Sequence, residues 1–464
     1  MQQQTIQAGR PIPRLAGGLP LLGHALEFRR DPVGMLLRAR ERHGDVFSFR
    51  MFGRRLHALI GPAGNEAFFK APDHVLSQKE AYQFMVPIFG KGVAYDVSPE
   101  LMDYQLGLIH PALRDQRMQS YAQIMASEAA AYLDGWGESG EVDLLAAMNE
   151  ITIYIAGRCL VGRDFRDRLS AEFVGLYHDL EAGLNLVAFF APYAPLPAMR
   201  RRDRARRRVV ELISGLIGAR RGSDVPADDF LDTLLAARDP SGQPLSDDTI
   251  TGLLLTVLFA GQHTSAVLAT WSGVLLLQHP RHAEAVLAEQ AAVLDGQAMT
   301  LAALKQLVVL ERCIKEAERL YPPLIVLMRK VVQDFVVRDQ VVPAGSLVLV
   351  SPAVSHRLPE PFAEPQRYDP DRFAPGREED RRTPYSLIGF GGGKHRCIGL
   401  AFAYQQVKVI WSVLLSRYEF SLAPQAYQPN YETLVVGPRQ PCRVRYRRRP
   451  ASEMRPPITR DAAE

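Results

Sequence analysis

Apolar residues recur along most of this chain at the helical spacing of three to four residues, whereas alternating apolar runs are short and lie near its two ends. Helical stretches are predicted over about residues 99–249, where Gly and Pro clusters separate them. The longest pattern follows the N-cap signal Ser246-Asp247-Asp248 and runs to His279-Pro280. Its roughly 30 residues would make a helix of about 45 Å, long enough to cross the whole molecule. The pattern therefore predicts a helix-rich fold with one long helix.

Two further helices and several strands are predicted outside this region, since apolar alternation around turn residues such as Gly53 is typical of short paired strands. The sheets are accordingly small and lie toward both ends of the chain. The segments are helices at 305–320 and 399–415, a strand pair at 46–50 and 56–60, strands at Phe335–Val337 and Leu347–Val350, and a β-hairpin at 434–436 and 443–446.

The composition is that of an ordinary globular protein of 464 residues, 47% hydrophobic and 23% charged. A net charge of +4 is small for this length and gives no support to nucleic-acid binding. The four cysteines are widely separated, with no C-x-x-C pair, which argues against zinc and a disulfide framework and favours a reducing compartment. Residues 1–23 contain no apolar stretch long enough for a signal peptide or membrane anchor, so a soluble cytoplasmic protein is expected.

One cysteine lies in a glycine loop that suits a soft ligand. The segment Phe390-Gly-Gly-Gly-Lys-His-Arg-Cys-Ile-Gly399 places Cys397 just before a predicted helix, where free backbone N–H groups and the helix dipole favour an anion. Its glycines let the backbone approach a flat ligand closely. A thiolate in this setting fits haem iron best. A structural thiol beside a glycine turn fits the loop alone equally well.

Three other segments indicate chemistry only in combination. Glu316 and Arg319 share a helix face, although a surface ion pair with this spacing is far commoner than a functional one. The segment Pro370-Asp-Arg-Phe373 follows later in the chain. In the middle of the long helix stands Ala260-Gly-Gln-His-Thr264, where the glycine and the threonine hydroxyl could open the helix locally. Each segment alone indicates little, whereas their order along one chain is far more specific.

In this order and at these separations, the segments resemble the cytochrome P450 superfamily of haem-thiolate monooxygenases over essentially the whole chain. His395 and His263, with the stretches 80–96 and 434–449, are similar to the sterol 14α-demethylases and above all to the soluble bacterial ones. The resemblance implies a mainly α fold with small β-sheets and a long central helix over a haem. The implied layout is a single haem-thiolate domain over residues 1–464, with a Pro/Gly-rich segment at 1–23 and a disordered tail at 450–464.

The resemblance also implies how haem b would be held. Cys397 would be the iron ligand, because an anionic thiolate pushes electron density onto the iron. The haem propionates need basic or hydroxyl partners, although each such residue could equally be a solvated polar side chain. Leu106 departs from the family, where a basic residue is expected one helical turn before His110. The implied cofactor-binding residues are Cys397, Phe390, Gly391, His395, Arg329, Tyr82, His110 and Gln78.

Catalytic, structural and substrate roles follow from the same resemblance. Thr264 would order water and deliver protons to dioxygen, with His263 in place of the usual acid, although a lone His on an apolar helix is ordinarily a satisfied core residue. Glu316, Arg319 and Arg372 would form a buried charge network that braces the core. A large apolar cavity would bind the substrate, and each lining residue fits ordinary core packing as well. The implied substrate contacts are Tyr82, Phe84, Met85, Phe89, Phe259, Ala260, Leu324, Val326 and Leu434.

The implied reaction removes the 14α-methyl group of a sterol precursor of the lanosterol or obtusifoliol type in three successive oxidations, with release of formate. It would use dioxygen and NADPH electrons, which would arrive through a separate ferredoxin or flavodoxin with its reductase. Lys394, Arg396 and Lys408 would give that partner a basic docking surface. Alternatives are a single-step hydroxylase of a steroid, terpenoid or fatty acid, and a haem protein that senses or binds apolar ligands without turnover.

Further partners are implied in the same way. Residues 184–199 match the family's channel-gating loop, and the arginines that follow could meet anionic lipid headgroups in a peripheral membrane contact. An ordinary solvated helix face fits those arginines equally well. Binding of azole inhibitors and a monomeric state are also expected.

Overall fold

The structure of the protein is a computed structural model that describes residues 10–167, 171–184, 186–222 and 229–450. The tail expected to be disordered lies outside this range from residue 451 onward, as do residues 1–9 of the N-terminal segment. The chain divides into two compact units, and the expectation of a single domain stays a prediction. Unit 1 comprises Met1–Gln83, Leu324–Arg367 and Arg372–Cys397, and unit 2 comprises Phe84–Pro323, Tyr368–Asp371 and Ile398–Glu464.

Helices dominate the described chain, as the apolar periodicity predicts. Short 3-10 turns and one π-helical segment at Gly157–Val161 lie between them. The α-helices are α1 (Ala25–Arg30), α2 (Pro32–His43), α3 (Pro62–Lys70), α4 (Val86–Phe89), α5 (Pro99–Ile109), α6 (Asp115–Leu133), α7 (Leu144–Ala156), α8 (Arg163–Asp167), α9 (Ala171–Ala182), α10 (Leu186–Phe190), α11 (Pro197–Arg221), α12 (Phe230–Ala236), α13 (Asp247–Gln278), α14 (Pro280–Leu294), α15 (Leu301–Gln306), α16 (Val308–Leu320), α17 (Pro352–Ser355), α18 (Glu379–Arg382) and α19 (Leu400–Arg417).

The strands form small sheets within each unit. Unit 1 contains a five-stranded sheet of order β1-β2-β8-β5-β3 and the pair β6-β7, and unit 2 contains a three-stranded sheet of order β4-β10-β9. The strands are β1 (Val46–Met51), β2 (Arg54–Leu59), β3 (Leu76–Ser77), β4 (Ser139–Asp143), β5 (Leu327–Val331), β6 (Phe335–Val337), β7 (Gln340–Val342), β8 (Leu347–Val350), β9 (Tyr418–Leu422) and β10 (Arg443–Arg448).

The five-stranded sheet lies in the core of unit 1. Its β2 and β8 strands are parallel, with Leu56 opposite Leu347, and the remaining pairs are antiparallel. All four residues of β8 are buried, which accounts for its continuous apolar run. Val348 belongs to one apolar cluster with Phe68 and Phe69 of α3. This core therefore supports both β5, which carries Arg329, and the helix α3 on which the cysteine loop packs.

Helix α13 is the central helix of unit 2 and packs against α7, α16 and α19. Ser246 caps its N-terminus by accepting a hydrogen bond from the backbone N–H of Thr249 at 3.2 Å. The helix is apolar on nearly every side because other helices surround it. A Cβ atom at Gly273 would collide with the indole of Trp411, whose Nε1 donates to the Ala269 carbonyl at 2.8 Å. Glycine thus allows α13 and α19 to pack in close contact.

Most predicted elements are confirmed, including the strand pair around Gly53 and the long helix. The predicted helix at 305–320 is interrupted at Leu307, so that α15 and α16 replace it. The predicted hairpin of residues 434–436 with 443–446 is wrong. The C-terminal strand β10 pairs instead with β9 and β4, and the intervening Pro438 and Pro441 have no N–H to donate to a hairpin ladder.

Three helical stretches are long and apolar enough to cross a membrane by length and composition alone: Leu144–Val161, Asp247–Gln278 and Gly393–Arg417. Within the described residues, 72%, 72% and 67% of their apolar windows are buried inside the protein. Packing in the interior therefore accounts for most of their apolar character.

Candidate functional site

The cysteine loop of unit 1 has a tightly constrained backbone. Gly391 and Gly393 have φ values of +72° and +59°, in the left-handed region that favours glycine. A Cβ atom at Gly393 would collide with the Phe69 carbonyl oxygen, so the loop packs directly against α3. The backbone N–H of Cys397 donates to the Phe390 carbonyl at 2.9 Å and closes the loop. The loop therefore presents its cysteine from a backbone that larger residues could not adopt.

The accessibility of the thiol distinguishes Cys397 from the other cysteines. Cys397 is exposed, whereas Cys159, Cys313 and Cys442 are buried. Burial raises the pKa of Cys313 and of Cys442 to about 12, and it raises the pKa of Cys159 well above its usual range. Those three thiols are therefore protonated and inert at neutral pH. Among the four cysteines, only Cys397 can offer an accessible thiolate.

Two basic residues of the predicted propionate set lie close to each other in unit 1. Arg329 is buried, its guanidinium carbon lies 5.1 Å from the Phe68 ring centroid, and its Nη1 donates to the Met328 carbonyl at 2.8 Å. Burial lowers the pKa of His395, and the charge of Arg329 lowers it further, so the imidazole is neutral at pH 7. Arg329 therefore lies near enough to His395 for its charge to lower the pKa of that imidazole, while a joint role of the two residues toward a propionate stays a prediction.

An acidic partner of His395 was not predicted from the sequence. His395 Nε2 donates to Asp73 Oδ1 at 2.5 Å, and Lys394 Nζ donates to Asp73 Oδ2 at 2.9 Å. Burial acts to raise the pKa of Asp73, but these hydrogen bonds outweigh it and hold that pKa below its usual range. Asp73 is therefore a carboxylate that orients His395. Its position, 322 residues from His395 along the chain, gave no sequence signal.

The remaining predicted site residues divide between the two units. In unit 1, the Tyr82 hydroxyl accepts a hydrogen bond from the Met328 backbone N–H at 3.4 Å, and Gln78, Leu324 and Val326 are partly buried. In unit 2, His110 is exposed in a 3-10 turn after α5, and Leu434 is also exposed. The joint action of residues from different units stays a prediction.

One face of α13 is accessible in an otherwise buried stretch. Between Ile250 and Leu276 only Thr256, Ala260, Gly261, His263 and Thr264 are not buried. They recur at intervals of three to four residues and so share one side of the helix. The Thr264 hydroxyl donates to the Ala260 carbonyl at 2.7 Å, while α13 continues through this segment without a break. A polar, accessible patch thus lies in the middle of an apolar helix.

A chain of polar contacts leads from this patch toward the surface of unit 2. His263 Nδ1 contacts Glu181 Oε1, and His178 Nδ1 lies 3.3 Å from Glu181 Oε2. Burial acts to raise the pKa of Glu181, but the two imidazoles outweigh it and hold that pKa below its usual range. The hydrogen bond to Glu181 raises the pKa of His178, whose side chain is 57% exposed. His178 is thus an accessible proton donor near neutral pH, joined to His263 through a carboxylate.

Three predicted substrate residues of unit 2, Phe84, Phe89 and Phe259, pack against other aromatic rings. Phe89 packs edge to face against Phe259, with ring centroids 6.0 Å apart, and Phe259 packs against Tyr177 at 4.5 Å. Phe84 lies 5.3 Å from Phe189 of α10. Phe84, Phe89 and Phe259 are buried, whereas the neighbouring Ala260 is exposed. The pair of Phe89 and Phe259 therefore lies next to the accessible face of α13, since Phe259 directly precedes the exposed Ala260.

The predicted charge network contains two strong ion pairs. Arg319 Nε and Nη2 donate to the two carboxylate oxygens of Glu316 at 2.7 and 2.8 Å, and both side chains are 0% exposed. Glu316 Oε1 also accepts from the Asp369 backbone N–H at 2.9 Å. In unit 1, Arg372 Nη1 donates to Glu379 Oε2 at 2.5 Å and to the Ala363 carbonyl at 2.9 Å. The burial of Glu316 and Arg319 thus excludes the interpretation that they form a surface ion pair. A common network of these two residues with Arg372 stays a prediction.

Lys408 does not contribute to an exposed basic surface, and that prediction is wrong. Its side chain is buried, its Nζ donates to the Leu304 carbonyl at 2.9 Å, and it also contacts Glu311. The residue lies on the side of α19 that faces its neighbours in unit 2, which the sequence did not reveal.

Comparison with known proteins identifies the family. The family model of cytochrome P450 matches residues 13–444. The chain belongs to the cytochrome P450 family. Members of this family use haem iron and dioxygen with electrons from a redox partner. The exposed thiol of Cys397 on its glycine loop supplies the thiolate that a haem requires, and the guanidinium of Arg329 supplies a cationic partner for its propionates, so the residues fit this cofactor.

This cytochrome P450 has relatives that match it over nearly its full length. It is 42% identical over 447 residues to the sterol 14α-demethylase of Mycobacterium tuberculosis, covering 94% of this chain and 98% of that protein. It is 40% identical over 448 residues to the sterol 14-demethylase of Arabidopsis thaliana, covering 95% and 92%. The retinoic acid bound cyanobacterial CYP120A1 shares its fold with a TM-score of 0.85 and 26% identity, covering 95% of this chain and 99% of that one. The predicted fold is confirmed.

Proposed function

We propose that this cytochrome P450 removes the 14α-methyl group of a sterol precursor. The proposal rests chiefly on the 42% identity, over nearly the whole of both chains, with a protein named as a sterol 14α-demethylase. The buried aromatic surface of Phe84, Phe89 and Phe259 offers the apolar contact that a tetracyclic hydrocarbon requires. Three oxidations would convert the methyl group to alcohol and aldehyde and release it as formate, leaving a 14,15 double bond.

Within this function, Cys397 would hold the haem iron through its thiolate, while Arg329, with His395 beside it, would supply the positive charge that the propionates need. When bound, the haem supplies the oxygen activation and the oxidising power for attack on an unactivated C–H bond. The glycines at 391 and 393 have positive φ values, and a Cβ atom at Gly393 would collide with the Phe69 carbonyl oxygen, so these glycines allow the cysteine loop to pack on α3. Asp73 would keep His395 in the tautomer that donates from Nε2 and would hold the ring in place.

The contacts on α13 and α9 would carry protons to the reaction. His178 takes a proton from solvent, the Glu181 carboxylate passes it on, and His263 receives it at Nδ1. Thr264 follows His263 in sequence on the same accessible face of α13, where its hydroxyl would order water and relay the proton. The buried Phe89 and Phe259 beside it would help to exclude other water from the reacting groups.

Thr264→Ala is expected to uncouple electron use from product formation. Positioned proton transfer contributes about 10²–10⁴-fold to rates, so the yield of product per NADPH oxidised should fall by tenfold or more. Thr256→Ala is the matched control, because Thr256 lies on the same face and its hydroxyl also donates to a backbone carbonyl, that of Gly252, at 2.8 Å. Product yield and NADPH consumption are measured together. Equal coupling in the two variants would exclude the relay role of Thr264.

Titration with lanosterol, obtusifoliol and a fatty acid, followed through the iron spin state, tests the substrate class. The sterols are expected to displace the distal water and the fatty acid is not. Reconstituted turnover with a sterol should release one formate per product molecule. A response to the fatty acid alone, or hydroxylation without formate, would replace the demethylase with a single-step hydroxylase; ligand binding without any product would indicate a non-catalytic binding protein.

Electrons would arrive from NADPH through an acidic ferredoxin or flavodoxin. Arg396 and Lys394 are both exposed beside the cysteine loop and provide positive charge for that encounter. Reduction by such a partner should slow as ionic strength rises, and Arg396→Glu should slow it at low salt. A rate that does not respond to salt would count against electrostatic docking at this loop.

Helix α10, the start of α11 and the segment between them would touch a membrane surface. Val187, Tyr193 and Leu196 are exposed apolar residues, and the exposed Arg200 and Arg204 follow on α11. The protein should therefore pellet more strongly with anionic vesicles than with zwitterionic ones. Equal binding to both would exclude a role of the arginines, and binding to neither would exclude the membrane contact. An azole should bind through its ring nitrogen and shift the haem absorption, and gel filtration should give a monomer.

A further inference from the structure

Arg206 of α11 reaches across unit 2 to the end of α4. Its Nε donates to the Ile88 carbonyl at 3.0 Å, and its Nη2 donates to the Phe89 carbonyl at 3.4 Å. The same Nη2 donates to Asp248 at the start of α13 at 3.1 Å. One guanidinium thus joins α11, α4 and α13.

The backbone around these carbonyls leaves room for the guanidinium only because a glycine follows. Gly90 has a φ of +104°, and a Cβ atom there would collide with Arg206 Nη2. A Cβ atom at Gly252 of α13 would collide with the Phe89 carbonyl oxygen. Two glycines therefore allow the Arg206 side chain of α11 and the backbone of α13 to approach the same peptide closely.

The element held in this way is too short to be stable alone. Helix α4 has four residues, Val86–Phe89, and the last carbonyls of any helix lack partners within it. A charged donor satisfies such carbonyls with hydrogen bonds about twice as strong as neutral ones. Arg206 donates such hydrogen bonds to the carbonyls of Ile88 and Phe89, two of the four α4 residues. The position of α4 thus depends on a side chain from another helix.

Helix α4 and the turn before it carry three of the predicted substrate contacts, Phe84, Met85 and Phe89. Phe89 packs on Phe259, next to the accessible Ala260 of α13. We propose that Arg206 is a positioning residue that sets the distance of this apolar wall from α13 and thereby selects ligands of sterol size. The inference rests on the proposed sterol demethylase function and assigns its substrate discrimination to a residue that makes no substrate contact.

Arg206→Ala is expected to raise the sterol dissociation constant, measured by the spin-state titration, by about tenfold or more, as loss of a charge-assisted hydrogen bond implies. KM should rise more than kcat falls, because the reacting groups on α13 remain in place. Imidazole, which needs no extended apolar wall, should bind the variant and the wild type equally. Arg206→Lys, which retains the charge and one or two donors, should recover part of the sterol affinity.

Two further variants separate the positioning role of Arg206 from general effects of charge. Arg204→Ala removes an exposed arginine of the same helix and should change the sterol dissociation constant by less than about twofold. Asp248→Asn weakens the hydrogen bond of Arg206 to α13 and leaves its bonds to α4, so it should weaken sterol binding, but by less than Arg206→Ala does. Gly90→Ala should weaken sterol binding when introduced into the wild type, because the new methyl group would displace the Arg206 guanidinium. In the Arg206→Ala background the same substitution should weaken sterol binding by a smaller factor, because the guanidinium is already absent.

Unchanged sterol affinity in Arg206→Ala would overturn the inference, as would an equal loss of imidazole and sterol binding, which would indicate a general structural role. A fall in haem content, with unaltered sterol affinity of the remaining folded protein, would also overturn it. Failure of the wild type to bind any sterol is a different result, because it would refute the proposed function itself.

Discussion

Cys397→Ser is expected to abolish the thiolate-type absorption of the reduced, CO-treated protein and to lower turnover on the order of a thousandfold or more, about 4 kcal/mol at 1.36 kcal/mol per tenfold step. Cys397 carries the one exposed thiol among the four cysteines. A serine hydroxyl stays protonated at neutral pH and donates far less electron density to a metal. The measurement is the CO difference spectrum together with sterol turnover.

Cys442→Ala serves as the control for this variant. Cys442 is buried and its pKa is raised to about 12 by that burial, so its loss should leave the CO spectrum unchanged and cost only stability. Retention of the thiolate band and of turnover in Cys397→Ser would refute the assignment of the iron ligand. An imidazole-type band in the wild type would do the same.

Glu316→Gln is expected to leave little folded, haem-containing protein. Glu316 and Arg319 are both 0% exposed and form two parallel hydrogen bonds. Neutralising the carboxyl group leaves the Arg319 guanidinium charge uncompensated in the core, which costs about 3–5 kcal/mol. A folded protein has only about 5–15 kcal/mol of stability in total. The midpoint of denaturant unfolding and the haem content of purified protein measure the loss.

An exposed pair with the same spacing provides the control. Glu364 and Arg367 are also three residues apart, with Arg367 Nη1 at 3.0 Å from Glu364 Oε2, but their side chains are 72% and 66% exposed. Glu364→Gln should change stability by no more than about 1 kcal/mol, because solvent screens both charges. If both variants unfold at the wild-type denaturant concentration, the buried pair does not brace the core.

Local signals allowed much of the fold to be predicted. The N-cap Ser246 and the apolar period located α13 to within a residue at its start, and alternation around Gly53 located β1 and β2. These signals succeed because caps, turns and periodicity depend on neighbours in sequence. The prediction of a C-terminal hairpin was wrong because strand pairing also depends on residues far apart in sequence: β10 pairs with β9 and with the distant β4.

The candidate site was predictable where its residues lie in one segment. The cysteine loop and the patch from Ala260 to Thr264 each contain their glycines, hydrogen-bond donors and reactive groups within ten residues or fewer. Each group of residues can therefore be recognised from the sequence alone. Glu181 and Asp73 could not be found in this way. They lie 82 and 322 residues from the histidines that they contact, and an isolated acidic residue in an amphipathic helix or a loop has no distinguishing pattern.

What the sequence determined by itself is therefore local: the helical character, the long α13, the identity of the exposed thiol's loop and the membership of the family. The tertiary structure decided which charges are buried and which residues from different helices meet. Lys408 is buried and donates to the Leu304 carbonyl, and Arg206 of α11 donates to the Ile88 carbonyl of α4. The physical reason is that burial and contact depend on packing between distant segments, whereas secondary structure responds first to the residues alongside.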